Sequence, residues 1–458
     1  MSKRFIIKDN NPLTSEDIPK LIRKIGIPVS IGVLFNNLFQ IVDTFYTGTI
    51  SNEALAALAL SFPIYFIIIG LASGLGTGTS ALIGNALGAG KRDDAVLIVA
   101  QGLSLTVLLS LITAGAGLAI SPRLFEILGA SGAAVAYNMS YITPIFLGAT
   151  FFNLVFMFHA ALAAQGDTRP FRNFLILGFL LNILLDPWFI YGGYGVPARG
   201  IAGVGIATAI IQGIGAIYLG FTAWRSGLFR HFRAPMLMPN PPQLLSIIKQ
   251  GLPPALDLST VSVGTFVVTY FVSRFGTEAL AAFGIASRLD QLFWLPLIGL
   301  DLATLVLVAQ NNGARRYDRM WQAFNTALRY GMLLMIAGGF IIFLFAHELI
   351  DIFTDDPAII SAGVAYLRIS VLAAWSKPFG FIGFAALRGI KRPLLPMAIS
   401  MTRMILLPAA ALTVVIVWLG AGLETIWWTI MWITIATGLV AWYAVRKLMP
   451  RPSSSDRL

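Results

Sequence analysis

Long apolar runs separated by short polar breaks organise this chain. Twelve runs of about 20 residues or more recur, each long enough as a helix to cross a ~30 Å hydrocarbon core. They lie near 25–48, 58–84, 95–120, 139–164, 171–192 and 199–224, then near 246–273, 283–309, 321–346, 362–388, 392–419 and 424–446. No period-two alternation competes with them, so the pattern predicts an all-α membrane protein of twelve transmembrane helices. The segment 1–24 is polar and leads directly into a full-length run, which is not the pattern of a cleavable leader.

The pattern is written twice. At an offset of 225, segment 22–93 aligns with segment 247–318 without a gap, and about 18 of those 72 positions are identical. Gly26 and Pro28 meet Gly251 and Pro253, Glu53-Ala-Leu-Ala-Ala57 meets Glu278-Ala-Leu-Ala-Ala282, and Gly88-Ala89 meets Gly313-Ala314. Tyr141 still meets Tyr366 at the same offset. Such a repeat predicts two pseudo-symmetric six-helix lobes. We expect a segment 1–24, a first lobe 25–224, a proline-bearing linker 225–245, a second lobe 246–446 and a tail 447–458. A linker of that kind leaves two bundles free to rock against each other.

Composition agrees with this reading, since 57% of the residues are hydrophobic, 12% are charged and the mean hydropathy is +0.80. The formal charge of +11 is a matter of topology, and nucleic-acid binding is not expected. Twenty-four of the 32 Lys and Arg fall in the first segment, the tail and every second loop between them, against three (Arg123, Arg199 and Arg274) in the intervening loops. By the positive-inside rule both termini are expected in the cytoplasm, in a bacterial inner membrane. With no cysteine there is neither a disulfide framework nor a thiolate site. No phosphate loop, nucleophile elbow or metal-spaced cluster occurs, so neither an enzyme nor an ATP-driven pump is expected.

Ionisable residues inside apolar runs are costly and need a partner, water or a role. The first lobe has two, Asp43 and Asp186, each about 8–9 Å from the outer end of its run at 1.5 Å per residue. No Lys or Arg lies deep in the first six runs. Two carboxylates at one level without a cation either share a proton or hold an ion. Asn182 lies four residues before Asp186 on the same helical face, Asn36 lies seven before Asp43, and Thr208 adds a hydroxyl from the sixth run. Pro187 leaves the Ile183 carbonyl without its helical donor, and Pro28 marks a second place where a helix can bend. The second lobe holds both signs: Asp257, Asp290 and Asp301 with Arg288, Arg368, Lys377 and Arg403. Internal ion pairs are the bland reading there, and a polar cavity wall is the alternative. His159 is the one histidine within a run and is expected to be packed and neutral. At the repeat offset Asp43 faces Val268, so the carboxylate belongs to one copy only.

These residues resemble the multidrug and toxic compound extrusion (MATE) transporters over nearly the whole chain. The resemblance rests on the doubled twelve-span pattern and on Asn37-Leu-Phe-Gln-Ile-Val-Asp43-Thr. It rests also on Gly84-Asn-Ala-Leu-Gly88-Ala89 with its echo Gln310-Asn-Asn-Gly313-Ala314, and on Asn182-Ile-Leu-Leu-Asp186-Pro187. It implies a V-shaped fold and efflux of drugs or toxins in exchange for H+ or Na+, with no other cofactor, in a monomer embedded in the bilayer. In the DinF-like branch the ion site falls on Asp43, Asn182, Asp186 and Thr208. The NorM branch places acids in the second lobe where this chain has Val261 and Lys377, so the DinF-like branch is the nearer match. A lipid-linked precursor flippase of the same superfamily is the alternative. It predicts a strongly cationic cavity and often more spans.

Overall fold

The computed structural model describes residues 11–130 and 132–451. Lys3, Arg4, Lys8, Arg457 and most of the 447–458 tail lie outside the described residues. The first half comprises α1 (Pro12–Ser15), α2 (Ile18–Ile50), α3 (Asn52–Gly88), α4 (Arg92–Ile127), α5 (Ala133–Leu147), α6 (Ala149–Ala164), α7 (Arg169–Tyr191) and α8 (Ile201–Arg225). The second comprises α9 (Pro241–Val272), α10 (Thr277–Phe293), α11 (Leu295–Gly313), α12 (Tyr317–Leu344), α13 (Ala346–Asp351), α14 (Pro357–Leu372) and α15 (Lys377–Gly389). It closes with α16 (Leu394–Met401), α17 (Leu407–Leu412) and α18 (Leu423–Leu448). Among the described residues ten helical segments are long and apolar enough to cross a membrane, and two bent pairs bring the number to twelve.

The bends repeat with the sequence. Between α5 and α6 the axis turns by 45° at Gly148, and between α14 and α15 by 43° beginning at Ala373, the counterpart of Gly148 in the repeat. Most helices outrun their apolar stretches because polar caps and charged first turns extend them. Ser51 caps α3 through the Ala54 amide at 3.1 Å, and Asp17 starts α2 seven residues before the apolar run that the sequence showed. The eighth run, expected near 283–309 as one helix, is instead broken at Trp294 between α10 and α11. Pro296 cannot donate to the Leu292 carbonyl, and its counterpart in the unbroken α3 is Leu71. From α16 to α17 the backbone widens into π-helical geometry over Thr402–Leu406, and again over Thr413–Trp418 after α17.

The two halves meet along a seam of small residues. Gly26 on α2 lies against Gly299 on α11, while Gly74 and Gly78 on α3 lie against Ala255 and Gly251 on α9. At the repeat offset Gly26 corresponds to Gly251 and Gly74 to Gly299, so the seam is self-complementary. At the basic end of the molecule α3 and α11 cross where Gly88 faces the Gln310 carbonyl and Gly313 faces the Asn85 carbonyl. Asn85 Nδ2 donates to the Gly389 carbonyl at 2.9 Å, and Gln310 Nε2 donates to the Ala164 carbonyl at 2.7 Å. Those two bonds are again images of each other, since Asn85 pairs with Gln310 and Ala164 with Gly389 at that offset. Asn312 Nδ2 adds a bond to Asn85 Oδ1 at 2.7 Å.

Two straps cover the same end. Asn11 donates to Gln310 Oε1 at 2.9 Å, Asn311 donates to the Leu13 carbonyl at 3.2 Å, and Arg316 donates to the Thr14 carbonyl at 2.7 Å. Arg319 donates to the Glu16 carbonyl. Residues 11–16 are thereby bound to the second half. The stretch between the halves forms short 3-10 turns at Leu228–His231 and Ala234–Leu237. Gln101 of α4 donates to the Met236 and Met238 carbonyls at 2.6 and 2.7 Å, and Ser104 donates to the Leu237 carbonyl at 2.7 Å. This stretch, within the expected linker 225–245, is held on the first half because its backbone carbonyls find amide and hydroxyl donors on α4.

A side chain at Gly88 or Gly313 must displace a backbone carbonyl of the facing helix, and such overpacking costs about 1–3 kcal/mol. Gly88→Leu and Gly313→Leu are therefore each expected to lower the thermal unfolding midpoint of the purified protein. Gly115→Leu, at a position with open space around it, serves as the control. Equal losses for all three would remove the seam from the account.

Candidate functional site

Asp43 on α2 and Asp186 on α7 come together in the middle of the first half. Asn182, one turn before Asp186, donates through Nδ2 to Asp43 Oδ1 at 2.9 Å. Asp43 retains 8% exposure, while Asn182 and Asp186 are wholly buried. Asp186 lies within hydrogen-bonding reach of Asp43, so the two carboxyl groups interact directly. With both carboxyls ionised, no N–H or O–H donor among the described residues is aligned on either Asp186 oxygen or on Asn182 Oδ1. Among the described residues no Lys, Arg or His forms an ion pair with either carboxylate. Leaving such acceptors unmet in a dry interior costs about 1–3 kcal/mol each, and more when they are charged. The donor set of carboxylate and amide oxygens fits a shared proton or a hard monovalent cation.

Two tyrosines complete the surroundings. Tyr65 from α3 and Tyr141 from α5 both lie within electrostatic reach of Asp43, and Tyr141 also within reach of Asp186. Tyr65 is held edge-to-face on Phe152, with ring centroids 6.0 Å apart. A third, Tyr46, donates its hydroxyl to the Ile183 carbonyl at 3.3 Å. That carbonyl is the one Pro187 leaves without a helical donor, so α2 supplies across the interface the bond that α7 cannot make. None of these tyrosines stands out in sequence except Tyr141, through its match with Tyr366.

The remaining candidates are placed as follows. Thr208 is buried on α8, where its hydroxyl donates to the Val204 carbonyl at 3.0 Å within its own helix. Asn36 is exposed and makes no hydrogen bond with the carboxylates; seven residues along a helix is about 10 Å, too far for contact. Pro28 lies inside α2 and Pro187 inside α7, and both helices run through them. His159 is stacked on Phe171 with centroids 3.9 Å apart.

In the second half, opposite charges find each other. Lys377 Nζ meets the two Asp290 oxygens at 2.8 and 3.1 Å, reaches Ser370 at 3.4 Å and lies 5.0 Å from the Trp294 ring centroid. Both side chains of this pair are about 5–6% exposed. Arg388 pairs with Asp301 at 2.5 Å. Arg388, at the edge of its apolar run in the sequence, lies within α15, and its side chain is only 14% exposed. Asp257 neighbours Ser400 and faces Arg388 and Arg403, with one oxygen unpartnered. Arg403 lies in the first π-helical stretch between Asp257 and Asp290, forming a direct ion pair with neither. Arg288 and Arg368 are exposed.

The repeat shows what changed between the copies. At the repeat offset Tyr65 corresponds to Asp290, Phe152 to Lys377 and Tyr141 to Tyr366. An aromatic contact in the first half thus occupies the place of an ion pair in the second. Conversely, the first half's carboxylates have no acidic counterparts, and the second half supplies its cations covalently.

Comparison with known proteins agrees with this architecture. A FAD transporter of Shewanella oneidensis is 27% identical over 416 residues, 89% of this chain and 90% of that protein. A probable multidrug resistance protein NorM of Thermotoga maritima is 27% identical over 401 residues, covering 85% of this chain and 84% of that one. A solved MOP superfamily transporter from Pyrococcus furiosus superposes with a TM-score of 0.86 at 25% identity, over 96% of this chain and 97% of its own. The MatE family model matches twice, over residues 28–188 and 253–414, two segments whose starts differ by the offset that relates the copies. Two matches, one on each copy of the repeat and together covering most of the chain, make this protein a member of the MatE family.

Proposed function

We propose that the chain is a secondary active multidrug efflux antiporter, not an enzyme, that exchanges organic compounds for H+ or Na+ at the Asp43–Asn182–Asp186 cluster. The observation that carries this reading is a buried carboxylate pair that has one amide donor, Asn182 on Asp43, and among the described residues no cation, with both Asp186 oxygens unmet. Relatives named for multidrug resistance or export, NorM and MepA among them, support the efflux of small molecules. Another relative is named for FAD, so the charge of the cargo does not follow from the family. We place the basic end, with both termini, on the cytoplasmic side of an inner membrane, and we take the transporter to act as a monomer.

In this mechanism the ion enters from the outer side and supplies what Asp186 and Asn182 lack. Binding removes one unit of negative charge from the cluster and lets α2 and α7 pack closely. Losing the ion leaves charge in a dry interior and favours separation of the two helices or entry of water. Tyr46 is the hinge partner, because its bond to the Ile183 carbonyl is the cross-helix contact that such a separation breaks. A membrane potential of 100 mV contributes about 2.3 kcal/mol per charge moved, enough for a concentration ratio of some tens. The second-half pairs take no part in this exchange: Lys377 and Arg388 already neutralise Asp290 and Asp301. A lipid-linked flippase is the lesser reading, because opposite charges are paired in the second half and the first is acidic.

Proteoliposomes with imposed pH or Na+ gradients, applied separately, test the proposal. Asp43→Asn and Asp186→Asn are each expected to reduce gradient-driven efflux to the level of empty vesicles while insertion is retained. Wild-type rates in either variant would remove the cluster from the mechanism. The ion is the one whose gradient alone drives wild-type efflux.

The paired reading of the second half is tested by substitution at Asp290 and Lys377. Removing one partner of a buried pair costs about 3–5 kcal/mol, whereas replacing both with apolar residues is nearly neutral. Lys377→Met alone should therefore lower thermal stability, and Lys377→Met with Asp290→Leu should restore both stability and ion-driven efflux. Loss of coupling in a stable double variant would bring this pair into the exchange.

A further inference from the structure

We propose that a groove along the outer face of α14 is a binding site for a phospholipid with a primary-ammonium headgroup, phosphatidylethanolamine being the simplest. The site is separate from the carboxylate cluster and does not depend on how transport is coupled. Pro357, Ile360, Ser361, Val364 and Arg368 follow one another at helical spacing, with His347 across from them at the start of α13. Together they border a shallow groove of about 550 Å³ whose walls are mostly aliphatic.

The anomaly is Arg368. It lies eleven residues into α14, about 16 Å along a helix that belongs to a membrane-crossing pair, and it is exposed. Its guanidinium carbon lies 5.5 Å from the ring centroid of Phe343, one residue before the end of α12. It makes no ion pair and no hydrogen bond to another described residue. A guanidinium facing lipid is costly unless it reaches the interface or an anion, and a planar guanidinium matches a phosphate through two parallel N–H bonds.

The rim of the groove has the opposite charge. Exposed Glu348 and Asp356 adjoin the groove residues His347 and Pro357 in the chain, Asp351 and Asp355 are exposed in the stretch between them, and no Lys or Arg occurs from residue 345 to 367. Phe345, Ile352 and Phe353 are 52%, 75% and 58% exposed at the same corner, which suits an apolar surrounding. A cation in the groove lining and carboxylates next to the groove in the chain form a dipole. A phospholipid in this leaflet presents the matching one, with phosphate toward the chains and ammonium toward water. Net-anionic headgroups meet the four carboxylates unfavourably, and a quaternary ammonium has no N–H to donate to them. Primary ammonium satisfies both ends.

The test is lipid retention by the full-length protein, purified and delipidated, then read by native mass spectrometry after exposure to phosphatidylethanolamine, phosphatidylcholine or phosphatidylglycerol vesicles. Preferential retention of phosphatidylethanolamine is expected, with about a tenfold loss in Arg368→Gln, the size expected for one charge-assisted contact. Equal retention of phosphatidylcholine, preference for phosphatidylglycerol, or unchanged retention in Arg368→Gln would each overturn the proposal. A second variant, Glu348→Gln with Asp351→Asn, leaves the guanidinium in place and should erase the preference for ethanolamine over choline. Preserved preference in that variant would likewise overturn it.

Discussion

Close approach of backbones between the two halves is the constraint on which the structure rests. In a bilayer, helices gain little from hydrophobic burial against each other, so they associate through van der Waals contact and interhelical hydrogen bonds. Both demand short distances, and only small residues permit them. The seam therefore places Gly26, Gly74, Gly88, Gly299 and Gly313 where α2, α3 and α11 meet their partners, and it seats the Asn85 and Gln310 amides on carbonyls of the other half. Because these contacts gather toward the basic end, the two straps that cover that end reinforce the same junction. The Asp43–Asn182–Asp186 cluster lies off the seam, within the first half alone.

That separation explains why the two halves handle charge differently. Each copy buries polar groups, and each must satisfy them in a medium where an unmet charge costs several kcal/mol. Lysine and arginine bring fixed partners to Asp290 and Asp301. The first half keeps Asp43 and Asp186 close together with no Lys, Arg or His paired to either among the described residues. Tyr65 and Phe152 stand where the second half has Asp290 and Lys377, and by removing a charged pair from that level they isolate the carboxylates further.

Much of this was legible in the sequence, for reasons that differ by residue. Asp43, Asn182 and Asp186 are conspicuous because polar side chains inside apolar runs are rare. The amide-and-glycine motif around Asn85 and Gln310 showed itself only as an echo between copies, and its meaning, a reciprocal clasp, needed the crossing of α3 and α11. Tyr46 and Tyr65 were hidden, since a tyrosine among 32 Phe, 10 Trp and 12 Tyr carries little information until its hydroxyl is located. Asn36 was misleading: the face was right, but seven residues of rise carry it away from the carboxylates. Arg388 stood at the very end of an apolar run, because hydropathy marks the apolar stretch of a helix and says nothing of its charged end. The break at Trp294 left its sign in Pro296, which averaging over a long run conceals.

The reciprocity of the seam has a consequence beyond packing. Residue 85 touches residue 313 while residue 88 touches residue 310, and these are the two contacts that a single pair of positions makes twice in a two-fold homodimer. The molecule thus carries an isologous dimer interface inside one polypeptide. Two separate six-helix chains would have to pay the entropy of association, of order 4–15 kcal/mol, before making these contacts. Joined end to end, the copies meet at a high effective concentration, and a modest interface then suffices. An interface freed from holding a dimer together can be weak enough to open. Joining also lets each copy accept substitutions that a homodimer would impose on both, as with the carboxylates kept in one half and the ion pairs in the other.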